Sequence, residues 1–244
     1  MSAIIHPLYF GQTANIRAYL STRLGGVSAE PYAQLNLGEH VGDDARAVAH
    51  NRQQIASAMA CPIAWLQQVH GNRVVHASTN SRPPEADAHT TMQTGLALAI
   101  MVADCLPVLF ASGDGQQIAA AHAGWRGLAA GVLENTLQAL QGKGANAAVR
   151  VYLGPCIGPD SFEVGEDVRM AFPVDGQCFV ALPTSGKYLA DLPGLAKARL
   201  LRAGIQAAHI TQDRRCTVQE QVFFSHRRER VTGRQAVFIV KDFS

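Results

Sequence analysis

The sequence predicts an α+β fold: a single-domain layered α/β sandwich with a mixed sheet, spanning residues 1–244. Two observations carry that expectation. Short apolar, strand-like runs come in groups with helical segments between the groups, which is not the strict alternation of a doubly wound parallel sheet. The 244 residues are 48% hydrophobic and 16% charged, with no low-complexity tract or charged linker to divide them. That composition and length suit one large domain with a sizeable core.

In chain order, Ile16 to Thr22 has the character of a strand. The following LGGVSAEPYAQLNLGEHVGDD is loop-like, punctuated by Gly-Gly, Pro and Asn-Leu-Gly. Asp43 or Asp44 then caps a helix that runs to about Ala60 and stops before Pro62, with Val48, Ile55 and Met59 at near-helical spacing. Strand candidates follow at Ile63–Val69, Arg73–His76, Leu96–Ala103, Pro107–Ala111 and Gln117–His122. Gly113-Asp114-Gly115 marks a hairpin turn between the last two. A helix is expected from Leu128 to Leu140, ended by Gly142, and then a strand at Val149–Leu153. A short helix near Glu166–Ala171, a strand near Cys178–Leu182 and a longer helix from about Leu189 to Arg202, stopped by Gly204, come next. The chain closes on an apolar strand, Ala236–Val240.

Composition removes several classes of function. A formal net charge of +2 is no nucleic-acid footprint, and the dense basic run His226–Arg230 is expected as a solvated or anion-binding turn. The first residues, MSAIIHPLYFGQ, lack a basic n-region and a long apolar h-region. The longest wholly apolar stretch, Leu96 to Ala103, is too short to span a bilayer. Five cysteines, odd in number, scattered and without a C-x-x-C pair, point to a cytoplasmic protein with reduced thiols.

Chemistry concentrates on His70, Cys105 and His122, in the strings QQVHG, MVADCLP and AAHAGWRG. Each lies where an apolar, strand-like segment meets glycine, proline or aspartate, which holds a side chain firmly at the edge of a core. Two imidazoles and a thiolate make a three-donor set for zinc with its fourth position open. The spacing fits no compact zinc finger, and each residue also has a plain interior reading: a small buried thiol, a satisfied imidazole. Asp104, next to Cys105, is a candidate for orienting a ligand or carrying a proton. Trp125 offers a flat apolar face and Arg126 an anion-binding fork.

Two other chemistries use the same residues. Cys105 with a histidine and Asp104 has the residue types of a thiol hydrolase. Cysteine and two histidines with Met101 nearby are the blue-copper set, but the compact C-x-H-x-M loop is absent. None of the nine histidines forms a His-x-His pair, so multi-histidine copper clusters are hard to assemble. Gly25-Gly26 and Gly154-Pro155 are turns, with no G-x-G-x-x-G or Walker-A string. Glu163 and Glu166 suit a helix start, and Phe223–Arg228 joins an apolar anchor to two guanidiniums, a segment that either lines a pocket or closes the fold.

The ordered strings TRLGGVS, LNLGEHVGDD, WLQQVHG, EADAHTT, VADCLPVL, AHAGWRG, GPCIGPDSFEVG and FFSHRR resemble the YfiH family, also described as laccase-domain or purine nucleoside phosphorylase proteins. The resemblance covers nearly the whole chain. It implies a single-domain layered α/β sandwich in which His70, Cys105 and His122 ligate zinc. It implies phosphorolysis of adenosine, inosine or methylthioadenosine with phosphate, and adenosine deamination alongside. Members are also described as copper-dependent polyphenol oxidases and as factors that edit peptidoglycan precursors. Gln68 of WLQQVHG and Asn36 of LNLG are expected pocket residues, with Arg126 as a phosphate holder and Asp104 as the acid/base group.

Overall fold

The computed structural model describes residues 4–10, 15–77, 82–140 and 149–242. Strands β1 (Ile5–Leu8) and β2 (Ile16–Ser21) form an antiparallel pair. Helix α1 (Ala45–Met59) follows, then the short strands β3 (Ile63–Ala64), β4 (Val74–His76) and β5 (Ala88–Thr91). Strands β6 (Ala97–Val102), β7 (Leu106–Ala111) and β8 (Ile118–Ala123) are buried along their whole length. Helices α2 (Trp125–Ala129) and α3 (Val132–Leu140) lead to β9 (Arg150–Leu153), β10 (Glu163–Gly165) and helix α4 (Glu166–Met170). After β11 (Phe179–Ala181) and β12 (Lys187–Ala190) come helix α5 (Leu192–Arg202), β13 (Ile210–Gln212), helix α6 (His226–Glu229) and β14 (Gln235–Lys241).

Two mixed sheets lie face to face, in the orders β1-β2-β14-β6-β3 and β13-β9-β7-β8-β5-β4, with a smaller sheet β10-β12-β11 beside them. Leu98, Ile100 and Val102 of β6 and Val237 and Ile239 of β14 pack against Leu109, Ala111, Ile118 and Ala120 of the other sheet. On the outer face of the first sheet, Ala97, Ala99, Met101 and Phe238 meet Ile55 and Met59 of α1 and the loop residues Leu35 and Leu37. On the outer face of the second, Val108, Phe110, Ala119 and Ala121 lie under Leu133 and Leu137 of α3 and Leu195 of α5. Both central sheets are covered on both sides, which is why β6 and β14 read as unbroken apolar runs. Each fully buried leucine, isoleucine or phenylalanine contributes about 1.5–3 kcal/mol. The expected single α+β domain, a layered sandwich with mixed sheets, is what forms. No helix among the described residues is long and apolar enough to cross a membrane.

Several boundaries differ from the sequence reading, for local reasons. Asp44, not Asp43, caps α1, its carboxylate accepting from Arg46 N at 2.8 Å and Ala47 N at 2.9 Å. Only Ile63 and Ala64 of the expected Ile63–Val69 strand pair with a neighbour, apart from one bridge at Gln67. The helix expected from Leu128 is two helices, broken where Gly131 takes φ +89°. Its expected stop, Gly142, lies outside the described residues. Leu189 and Ala190 belong to β12; α5 begins after Asp191, whose carboxylate accepts from Gly194 N at 2.9 Å.

Candidate metal centre

The register between β7 and β8 assembles half of the site. Leu106 pairs with Ala123 and Pro107 with His122, so Cys105, one residue before β7, stands beside the His122 end of β8. His70 arrives from a loop, at φ +61°, a conformation that needs outside support in a residue with a side chain. The support is Asp87, just before β5. Its carboxylate accepts three successive backbone N–H groups, those of Val69, His70 and Gly71, at 3.1, 2.9 and 2.7 Å. The same carboxylate accepts from Nδ1 of His122 at 2.8 Å, leaving the other imidazole nitrogen for the site.

The three donors converge. Their ligand atoms lie within 4.8 Å of one another, and Cys105 Sγ is 3.8 Å from His70 Nε2. Donors sharing one tetrahedral zinc stand ~3.3–3.8 Å apart, so the spacing suits an ion at their centre. Gly124 keeps that centre open: a Cβ there would stand 3.1 Å from Cys105 Sγ and 3.1 Å from His70 Cδ2. His122 is buried, Cys105 half-buried and His70 exposed, so one side of the triad faces solvent. Burial alone would push the Cys105 thiol up, but His122 and His70 outweigh it and bring it down to about 6. Burial would likewise lower His122; the Cys105 sulfur and the Asp87 carboxylate raise it instead. The pair therefore favours thiolate beside imidazolium, and a cation at the centre would replace the imidazolium proton. The donor set and its geometry fit a metal ion.

A cleft of about 210 Å³ opens over the triad, with Gln68, Met101, His40, His226 and Arg234 around it. Of the other expected site residues, Gln68 lines this cleft, and Asn36 and Arg126 do not. The Gln68 amide is committed to β6, donating to Met101 O at 2.8 Å and accepting from Met101 N at 2.9 Å, which fixes the loop carrying His70. Asn36 is fully buried and saturated by Gly38, Asp43 and Arg234 N, away from the cleft lining. Arg126 is exposed and stacks on Trp125 at 4.3 Å, outside the lining. Asp104, at φ +88°, has one oxygen accepting from Thr217 Oγ1 at 2.7 Å and the other from Arg227 N at 2.6 Å. Both are structural donors.

Asp87, Arg234 and His40 were missed, whereas His226 belongs to the basic run His226–Arg230 that the sequence singled out as a solvated or anion-binding turn, and it lines the cleft. Asp87 sits in EADAHTT as an acid among small residues, and its role arises from backbone groups that no spacing rule reaches. Arg234 enters the cleft from the TGRQ turn before β14, its Nη1 donating to Thr232 O and Gly233 O at 2.9 Å each.

A family model described as "Multi-copper polyphenol oxidoreductase laccase" matches residues 17–242. A purine nucleoside phosphorylase named YfiH, from Escherichia coli, is 45% identical over 245 residues, covering 98% of this chain and 99% of that protein. The chain belongs to the YfiH family. A second relative of this YfiH chain, a purine nucleoside phosphorylase of Pseudomonas aeruginosa, is 46% identical over 231 residues, with 93% of each covered. Among solved structures, a Neisseria meningitidis protein of family DUF152 superposes with a TM-score of 0.93 at 43% identity, covering 99% of this chain and 100% of its own. YlmD of Geobacillus stearothermophilus gives 0.89 at 34% identity, covering 94% and 93%. Despite the multi-copper description of the family model, His70, Cys105 and His122 are the single group of clustered ligand side chains among the described residues of this YfiH chain.

Proposed function

We propose that this chain is a zinc-dependent purine nucleoside phosphorylase. The observation that carries the reading is the three-donor cluster with one open side at the floor of a cleft, in a chain whose full-length relatives are named for that activity. His70, Cys105 and His122 hold the ion. When bound, it supplies Lewis acidity and a fixed positive charge beside the reacting centre.

The protein's own groups do the rest. Arg234, fixed by its two carbonyl contacts, presents a guanidinium to the phosphate. A phosphate oxygen attacks C1′ of the ribose, the glycosidic C–N bond breaks toward the base, and ribose 1-phosphate and free purine result. His226, at the mouth of the cleft, delivers the proton that the departing purine takes. Gln68 and Asp87 orient the loop of His70. Asp104 positions the Cys105 turn through Thr217 and α6, in place of the acid/base role expected of it. Adenosine deamination in the same cleft is part of the proposal, as are methylthioadenosine as a substrate and a cytoplasmic setting.

A second reading has its own observation. Cys105, His122 and Asp87 form a thiol–imidazole–carboxylate chain, the arrangement of a cysteine hydrolase acting on precursors such as those of peptidoglycan. Copper oxidation is less well supported: Met101 Sδ is turned to Arg52 Nη2 at 3.6 Å, not offered as an axial ligand. Chromatography of adenosine and inosine with and without phosphate, coupled to elemental analysis, separates these readings. Base release only with phosphate, lost on chelation, is the expected result. Inosine formed from adenosine reports deamination. Activity that survives chelation but not thiol alkylation would favour the hydrolase.

A further inference from the structure

The metal cleft does not end at its own rim. At about 210 Å³ it is smaller than most pockets that enclose a whole ligand. A depression of about 350 Å³ adjoins it, and His40 and Met101 stand in the lining of both. The boundary between the two spaces is one residue wide in two places. Gln67 lines the depression and Gln68 the cleft; Glu39 lines the depression and His40 belongs to both. Consecutive residues stand about 3.8 Å apart at Cα, so the two spaces lie within reach of one small molecule.

The loop that carries Glu39 and His40 is bound directly to Arg234, the residue placed at the phosphate. Leu37 N donates to Arg234 O at 3.0 Å, and Asn36 Oδ1 accepts from Arg234 N at 2.9 Å. Gly38 permits the close approach: a Cβ there would stand 2.9 Å from Arg234 Cγ. Glu39 follows at once. Its Oε1 accepts from Arg52 Nη1 at 2.6 Å, and its other oxygen takes no hydrogen bond among the described residues. Arg52 is itself held, donating from Nε to Leu37 O at 2.9 Å and lying 4.3 Å over the Trp65 ring. The Glu39 side chain is 61% exposed, so its free oxygen is open to a ligand. Leu66, Met101 and Pro83 add apolar surface to the same depression. Such a lining suits a flat ring with N–H donors on its far edge.

Resting on the nucleoside reading, we propose that this depression takes the purine and that Glu39 reads its six-membered edge. With the ribose over the metal donors and the phosphate at Arg234, the base extends past His40 and Met101 into the depression. An ionised carboxylate only accepts hydrogen bonds. It accepts from the 6-amino group of adenosine and from the N1–H of inosine, so one side chain serves both nucleosides. A purine whose edge carries no N–H turns a bare N1 lone pair to the carboxylate and is disfavoured.

The test uses the metal-loaded full chain with phosphate and three substrates: adenosine, inosine and purine riboside, which has no N–H on that edge. In wild type, KM for purine riboside exceeds the other two by about tenfold or more. Glu39→Ala raises KM for adenosine and inosine about tenfold with kcat little changed, and leaves KM for purine riboside where it was. Glu39→Gln keeps an acceptor oxygen and adds a donor, so it recovers part of that loss and lowers KM for purine riboside. Metal content and melting temperature stay at wild-type values, because the side chain is exposed on a loop. Equal KM values for the three substrates in wild type would overturn the subsite while leaving phosphorolysis intact. So would a Glu39→Ala variant with unchanged KM values, or with a rise shared by all three. Wild-type protein that releases base from none of them would instead overturn the nucleoside reading, and the subsite with it.

Discussion

Asp87 and His122 are joined by a 2.8 Å hydrogen bond between two buried groups, and Asp87 simultaneously holds the three backbone N–H groups of the His70 loop. One carboxylate therefore orients two of the three donors. Asp87→Asn should lower metal affinity about 10–100-fold, measured by competition with a chromophoric chelator. It should also cost about 1–3 kcal/mol of stability in denaturant titration, because a backbone donor loses its acceptor inside the protein. Wild-type affinity in that variant would remove Asp87 from the site.

Cys105→Ala should abolish both bound metal and phosphorolysis. The melting temperature should stay within about 5 °C of metal-stripped wild type, because the flanking strands are held by their own ladders and core. Phosphorolysis at full rate in this variant would exclude the metal-centred reaction.

In metal-stripped protein the Cys105 thiol should titrate near 6, below the usual 9.0. The sign follows from a depressed pKa: the thiolate is present above about 6 and lost as pH falls through it. Iodoacetamide labelling of the Cys105 peptide should therefore be fast at pH 7 to 8, drop below pH 6, and be suppressed by added Zn²⁺. A labelling midpoint near 9 would show that the histidine pair does not stabilise the thiolate.

Gly124→Ala tests how tightly the donors enclose their centre. Gly124 has φ −61°, which alanine adopts without strain, so the added methyl acts through its two 3.1 Å contacts with Cys105 and His70. Metal affinity should fall at least about tenfold with little change in stability. Unchanged affinity would mean that the donors move apart at no cost.

Asp104→Asn separates positioning from proton transfer. The amide oxygen would accept from Arg227 N–H and the amide nitrogen donate to the Thr217 hydroxyl oxygen, so both contacts persist and stability should fall by less than about 1 kcal/mol. The shape of the kcat–pH profile should not change. A lost limb in that profile would restore the acid/base role.

The sequence made some features legible and hid others for physical reasons. β6 and β14 were visible because both their faces are buried, which leaves no polar interruption. β5, AHTT, was invisible because three of its four residues are polar, although the strands on either side, α3 and β6 bury them all. The three side chains that converge were legible from their residue types, and Cys105 and His122 also from their places at the ends of β7 and β8, whereas His70 stands on a loop. Asn36 and Gln68 drew attention as amides in distinctive strings, yet both serve backbone groups of this chain. Asp87 was out of reach for the opposite reason. What distinguishes it is the presence of partners, which is not a property of local sequence.

The Asp87 anchor also bears on which ion the protein carries. Asp87 already orients two of the three donors through hydrogen bonds of the protein itself, so on the metal reading proposed above loading follows folding. Such a site takes what its surroundings offer, and among divalent ions copper outranks zinc for nitrogen and sulfur donors. Protein produced in copper-rich and in zinc-rich media should then differ in its metal while sharing one fold, and redox activity seen in the first preparation would report its growth medium, not a second function.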